Sequence, residues 1–188
     1  MKRGAGLVLA LVLVFAALMG CGRGDGPPAE RASKVREEAG AKNWLPYDEG
    51  MAQAAREKKK AVIDFYASWC RWCKVMERET FSNPEVEKYL SEHFVAIRID
   101  AENDADSIGY QGRRYTPASL AKSFGVRGYP SLAYLDEDGD LIALVPGYVP
   151  AQRFLPYLQY VQGNYYKRSM TFDEFFRRRG EGDTSVAR

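Results

Sequence analysis

The chain has 188 residues, 46% hydrophobic and 13% aromatic, which suits one domain with a real core plus additional segments at its ends. Its formal net charge of +2 comes from Lys2 and Arg3, the only charges in residues 1–20. Beyond them the 25 remaining basic residues balance 25 acidic ones, so bulk charge gives no support to a nucleic-acid partner. Met1-Lys2-Arg3 is a short basic stretch, and Leu7 to Met19 is apolar and uncharged. At 1.5 Å per residue that run makes roughly 20 Å of helix, short for a hydrocarbon core of about 30 Å. A positive start followed by a short apolar run is the layout of an export signal.

Leu18-Met19-Gly20-Cys21 resembles the lipobox of bacterial lipoproteins, with Met19 standing where a small residue is usual. The resemblance implies a signal peptide over 1–20 and a lipid-carrying Cys21 that fixes the protein to a membrane. Gly22 is not the Asp that would signal inner-membrane retention, so the choice of membrane stays open. An uncleaved anchor or an ordinary secretory signal is the alternative, and each of these places the domain outside the cytoplasm. Residues 21–43 follow as a Gly/Pro-containing and then charged tether with little to bury.

The domain is expected over 44–162. Asp48 is a candidate cap for a helix running to about Lys59. Ala61 to Ala67 is a short apolar run of β-formers, as in a strand buried on both faces. Residues 71–80 read as a helix. The Ser82-Asn83-Pro84-Glu85 arrangement predicts a capped helix to about His93, and Phe94 to Asp100 a second strand. Residues 101–115 read as a polar loop. Thr116-Pro117 opens a helix ending at Gly125. Ser131–Leu135 and Leu141–Val145, either side of Asp136-Glu137-Asp138-Gly139-Asp140, form a hairpin pattern. Pro150 to Val161 is a closing amphipathic helix. The extension 163–188 holds one short helix capped at Thr171, before a disordered Arg-rich tail.

Cys70 and Cys73 come directly after the first strand. If Cys21 carries lipid, they are the only two thiols left. A structural disulfide stabilises mainly by closing a long loop, and three residues close almost none, so chemistry explains the pair better than stapling. A dithiol exchanges with a disulfide through a mixed disulfide that a second nearby thiol resolves. A first Cys at a helix start gains backbone N–H groups that favour its thiolate, with Arg71 and Lys74 adding positive charge. Cys73, one turn on, is then the buried resolving thiol. Structural zinc lacks ligands, because no second CxxC exists and His93 is the only histidine. His93 itself reads as a surface or helix-end residue.

These residues sit in Asp64-Phe65-Tyr66-Ala67-Ser68-Trp69-Cys70-Arg71-Trp72-Cys73-Lys74, and a second motif is Gly125-Val126-Arg127-Gly128-Tyr129-Pro130-Ser131. Together they resemble the thioredoxin superfamily over roughly 44–162. Glu79 to Val86 adds a likeness to the C-terminal domain of the transmembrane thiol reductase family. The resemblance implies an α/β thioredoxin-like fold with a central mixed sheet flanked by helices. It implies a cis bond at Pro130, a proton-accepting role for Asp64 toward Cys73, and substrate contacts from Trp69, Trp72, Tyr129 and Pro130. For Asp64 a plain strand-end carboxylate is the alternative, and for Trp72 core packing. The family often places a Lys near this Asp on the neighbouring strand; the matching position is Ala96, which leaves the Asp64 proton without that partner.

Asp100, Glu102, Asp104 and Asp106 alternate like calcium ligands, but Ala105 and Gln111 replace the Gly and Glu such a loop needs. No metal and no cofactor beyond the Cys70–Cys73 disulfide is expected. The leading reading is a thiol–disulfide reductase acting on disulfide-containing proteins, fed by a membrane thiol reductase. A disulfide oxidase or isomerase, and a binding or chaperone-like lipoprotein with an incidental dithiol, are the competing readings.

Overall fold

The structure is a computed structural model and describes residues 44–184; the segments expected to be an export signal and a tether, with Cys21, lie outside the described residues. Its helices are α1 (Tyr47–Glu57), α2 (Arg71–Met76), α3 (Pro84–His93), α4 (Pro117–Ser123), α5 (Ala151–Gln162) and α6 (Phe172–Thr184). Its strands are β1 (Lys60–Tyr66), β2 (Phe94–Asp100), β3 (Ile108–Tyr110), β4 (Arg113–Tyr115), β5 (Ser131–Leu135) and β6 (Leu141–Pro146). The main sheet runs β2-β1-β5-β6. β1 pairs parallel with β2 and antiparallel with β5, and β6 completes the hairpin with β5. This is the expected mixed sheet between two layers of helices.

Strand periodicity assigns each side chain of β1 to a layer. Ala61, Ile63 and Phe65 join Tyr47 and Ala54 of α1 and Leu120 and Ala121 of α4 in one core. Val62 faces the other core, with Met76, Phe81, Val86, Leu90, Phe154 and Leu158. Asp64, two residues from Val62, shares that second face, the one against which Met76 of α2 packs. α1 lies against β2 so closely that a Cβ on Gly50 would meet Ile97 Cγ1, with Cδ1 2.8 Å away. Gly50→Ala is therefore expected to lower stability in urea unfolding by about 1–3 kcal/mol of overpacking, more than the helix-propensity gain of up to about 1 kcal/mol.

Several local expectations are corrected. α1 begins one residue before Asp48, after Pro46, so Asp48 sits in the first turn and does not cap it. Asn83, not Ser82, caps α3: its Oδ1 accepts from the Glu85 and Val86 amides at 3.0 and 3.3 Å. Ser82 instead donates its hydroxyl to Glu77 O at 2.8 Å. The helix expected over 71–80 is α-helical only to Met76, then widens into a π turn over Glu77–Phe81, with Ser82 N bonded to Glu77 O at 3.1 Å. The 101–115 segment is no plain loop, since β3 and β4 form an antiparallel ribbon with Ile108 opposite Tyr115. Its alternating apolar content was too short for the period-two pattern to stand out.

The C-terminal extension packs on α5. The Phe172 ring stacks on Tyr157 at 3.5 Å, and Tyr160 donates its hydroxyl to Met170 O at 2.7 Å. Thr171 Oγ1 accepts from Glu174 N at 3.2 Å, the expected cap. Arg177, Arg178 and Arg179 belong to α6 rather than to a disordered tail.

Candidate active site

Cys70 is the residue immediately before α2, with an extended backbone, and its Sγ accepts from Cys73 N at 3.0 Å. That is a cap made by sulfur in place of the usual side-chain oxygen. The spacing brings the two Cα atoms to 5.3 Å, and Cys70 and Cys73 are joined in a disulfide. Each residue is only 4% exposed. Ala67 packs with them, and the half-buried rings of Tyr66 and Tyr129 lie against the cluster. Against this burial, Trp69 and Trp72 stand 68% and 56% exposed, so core packing of Trp72 is excluded. Trp69 meets the Tyr129 ring edge-on, and Trp72 lies 5.5 Å from the Tyr148 ring.

The Tyr129–Pro130 bond is cis, as the resemblance implies. Pro130 is buried at the head of β5, and its carbonyl accepts from Gly147 N at 2.8 Å. Gly147 has φ +85, a conformation that L side chains rarely adopt. Ser131 Oγ donates to Gly128 O at 2.7 Å and braces the same loop. Tyr148 is next in the chain and donates its hydroxyl to Glu79 Oε2 at 3.1 Å. Thr80 Oγ1 donates to Val149 O at 2.7 Å. The π turn is thus tied to the segment beside the cis proline.

Asp64 is 1% exposed. Its partner across β1 and β2 is Arg98, which donates from both Nε and Nη2 to Asp64 Oδ2 at 2.9 Å. The same Nη2 lies 2.8 Å from Glu77 Oε2 in the π turn. The guanidinium is held over Tyr66, Trp44 and Phe81, 4.9, 5.2 and 5.8 Å from their ring centroids. Burial pushes the Asp64 carboxyl above the ordinary carboxylate range; Arg98 opposes this, and the Glu77 charge adds to it. Burial works against the Arg98 charge as well, yet Asp64 and Glu77 together hold its pKa above the usual value. The absence of the family's Lys at Ala96 therefore does not leave Asp64 without a cation nearby. Ala96 pairs with Val62, and the cation enters two residues later at Arg98.

Arg98, Glu77 and Tyr148 were missed at the sequence level. A signal for Arg98 did exist: it is the one charge inside Phe94-Val95-Ala96-Ile97-Arg98-Ile99, and a buried charge demands a partner. Glu77 and Tyr148 reach the site through the π turn and the Gly147 bend, which composition does not reveal. The acidic 100–106 stretch spends its oxygens locally. Asp100 Oδ1 accepts from Glu102 N, Asp106 Oδ2 from Asn103 Nδ2, and Asp104 Oδ1 from the Thr116 hydroxyl. Among the described residues no group of three or more His, Cys, Asp or Glu is placed to hold a metal ion. His93 lies at the end of α3 against the Tyr89 ring.

The thioredoxin-like domain family matches residues 47–162, more than half of the chain. The chain belongs to the thioredoxin-like family. Within it, this thioredoxin-like protein is 30% identical over 121 residues to the thiol:disulfide interchange protein DsbD of Photorhabdus laumondii, which covers 63% of the chain and 19% of that protein. The DsbD of Haemophilus ducreyi is 34% identical over 107 residues, covering 55% of the chain and 17% of that protein. The chain therefore spans under a fifth of the length of these relatives. A thioredoxin-fold protein from Helicobacter pylori superposes with a TM-score of 0.57 at 17% identity, covering 79% of the chain and 91% of that structure. This last likeness speaks to fold alone. The thioredoxin-like protein carries in Cys70–Cys73 the redox disulfide on which thiol–disulfide oxidoreductase chemistry depends. Among its described residues no helix is long and apolar enough to cross a membrane.

Proposed function

We propose that the protein is an extracytoplasmic thiol–disulfide oxidoreductase, held to a membrane through lipidated Cys21, that reduces disulfides in other proteins. The observation that carries the reading is the buried Cys70–Cys73 disulfide with the Tyr129 ring against it, exposed Trp69 and Trp72 beside it in the chain, a cis bond at Pro130, and the buried Asp64 carboxylate on the strand that leads to it. Similarity to proteins named for thiol:disulfide interchange supports it.

In the reduced protein the Cys70 thiolate attacks one sulfur of the substrate disulfide. The other substrate sulfur leaves as a thiolate and takes a proton from solvent. Asp64 accepts the Cys73 proton, and the Cys73 thiolate attacks Cys70 Sγ, expelling the second substrate thiolate. Two electrons pass from dithiol to substrate, and the protein ends with the Cys70–Cys73 disulfide closed. A donor dithiol, for which a membrane thiol reductase is the fitting class, returns it to the start. Trp69, Trp72 and Tyr129 supply the apolar surface a substrate segment meets, and the backbone beside Pro130 its strand-like neighbour. Maturation of cytochrome c apoproteins and repair of wrong disulfides are the uses this chemistry fits.

Equilibration with glutathione measures the direction. A reduction potential near about −270 mV is the expected result, whereas one near about −120 mV would mark an oxidant and overturn the reductase reading.

A further inference from the structure

The cation of the buried triad lies between two carboxylates rather than on one. Arg98 spends Nε and Nη2 on a single oxygen of Asp64, and offers the same Nη2 to Glu77. The other Asp64 oxygen, Oδ1, is buried and accepts no hydrogen bond from any described residue. The three residues come from three separate elements, β1, β2 and the π turn that continues the active-site helix. Tyr66 connects them to the disulfide: one ring lies under the Arg98 guanidinium and also packs against the Cys70–Cys73 cluster.

We propose that Arg98 is a positioning residue for the redox step, a guanidinium shared by Asp64 and Glu77 that orients Asp64 and sets the pH above which it takes the Cys73 proton. The proposal rests on the proposed Cys70–Cys73 exchange chemistry and adds its regulation. Only an ionised Asp64 accepts a proton. The Arg98 charge favours that form, and the Glu77 charge disfavours it both directly and by competing for Arg98. From the remaining strand on this face, β5 supplies Leu132 opposite Asp64 and Tyr134 beyond it. Tyr134 is fully buried and holds its proton well above the usual range, so it adds no charge. Among the described residues, the charges acting on Asp64 are thus one cation, Arg98, and one competing anion, Glu77. Arg98 fixes Oδ2 and leaves Oδ1 open to take the proton.

The two neighbours therefore have opposite predicted signs, which a purely structural role would not produce. In the full chain, Arg98→Gln should move the acid limb of the exchange-rate profile toward higher pH. On that limb the rate should fall about tenfold, the equivalent of one pH unit. Glu77→Gln should move the limb toward lower pH, and Arg98→Lys should restore most of the wild-type position. Asp64 ionisation, followed directly by carboxyl-carbon NMR in the oxidised protein, should move in the same two directions. If Arg98→Gln fails to fold, Glu77→Gln and Arg98→Lys still decide the matter through the NMR titration. Shifts of one sign in both variants, or no shift in either, overturn the proposal. A wild-type protein that exchanges no disulfide sinks the proposed function instead, while the Asp64 titration continues to test the Arg98 assignment.

Discussion

Replacing Cys70 with serine is expected to end disulfide exchange, with a loss of about a thousandfold or more in the rate of reducing a protein disulfide. The hydroxyl that replaces the thiol is almost wholly protonated at neutral pH and cannot form the mixed disulfide. Cys73→Ala should behave differently. Its Cys70 still attacks, but nothing resolves the product, so mixed disulfides with substrates accumulate and can be isolated on non-reducing gels. The proposed order, Cys70 attacking and Cys73 resolving, fits their places: Cys70 stands before the first turn of α2 and accepts the Cys73 amide, while Cys73 lies within that turn. If Cys70→Ala left the protein's biological activity intact, the dithiol would be incidental and the binding-protein reading would take its place.

The second large effect concerns stability. Arg98→Met is expected to lower the unfolding free energy by about 3–5 kcal/mol, the usual result of removing one partner from a buried ion pair. Against a total of about 5–15 kcal/mol for an ordinary domain, this is a large fraction. The methionine fills much of the space beneath Trp44 and Phe81, so packing is nearly preserved. What is lost is the cation that lets fully buried Asp64 and partly buried Glu77 coexist. Adding Asp64→Asn and Glu77→Gln to the same chain should recover most of the loss in urea unfolding. A cavity rather than a charge effect would show as no recovery.

Much of the site was legible because its chemistry is local in sequence. Cys70 and Cys73 lie one helical turn apart. Asp64 is conspicuous as a carboxylate in an apolar strand, and the Gly128-Tyr129-Pro130 motif marks the opposing loop. The layered α/β fold was legible for a related reason, since its strands are continuous apolar runs bounded by turn residues. What escaped depends on register. Arg98 belongs to the site because β1 and β2 pair so that residue 64 faces residue 98. Matching by motif pointed instead to Ala96, which the same pairing sets against Val62. Capping by Ser82 failed because its hydroxyl is given to Glu77 O of the π turn, and Asn83 takes the role.

The π turn at Glu77–Phe81 has a consequence for changes in chain length. Such a turn holds one residue more than an α-helix needs, and the surplus is absorbed without rotating the chain beyond it. In a helix forced to keep strict α spacing, one inserted residue would turn every later position by about 100°. Thr80 and Phe81, both buried, keep their places because the turn widens. Removing a single residue between Glu77 and Glu79 should then leave the core in register while costing the contact to Arg98 or to Tyr148. The scaffold and the Glu77 share of the Arg98 guanidinium are in this sense separable by one codon, because the contact can be given up without moving the core.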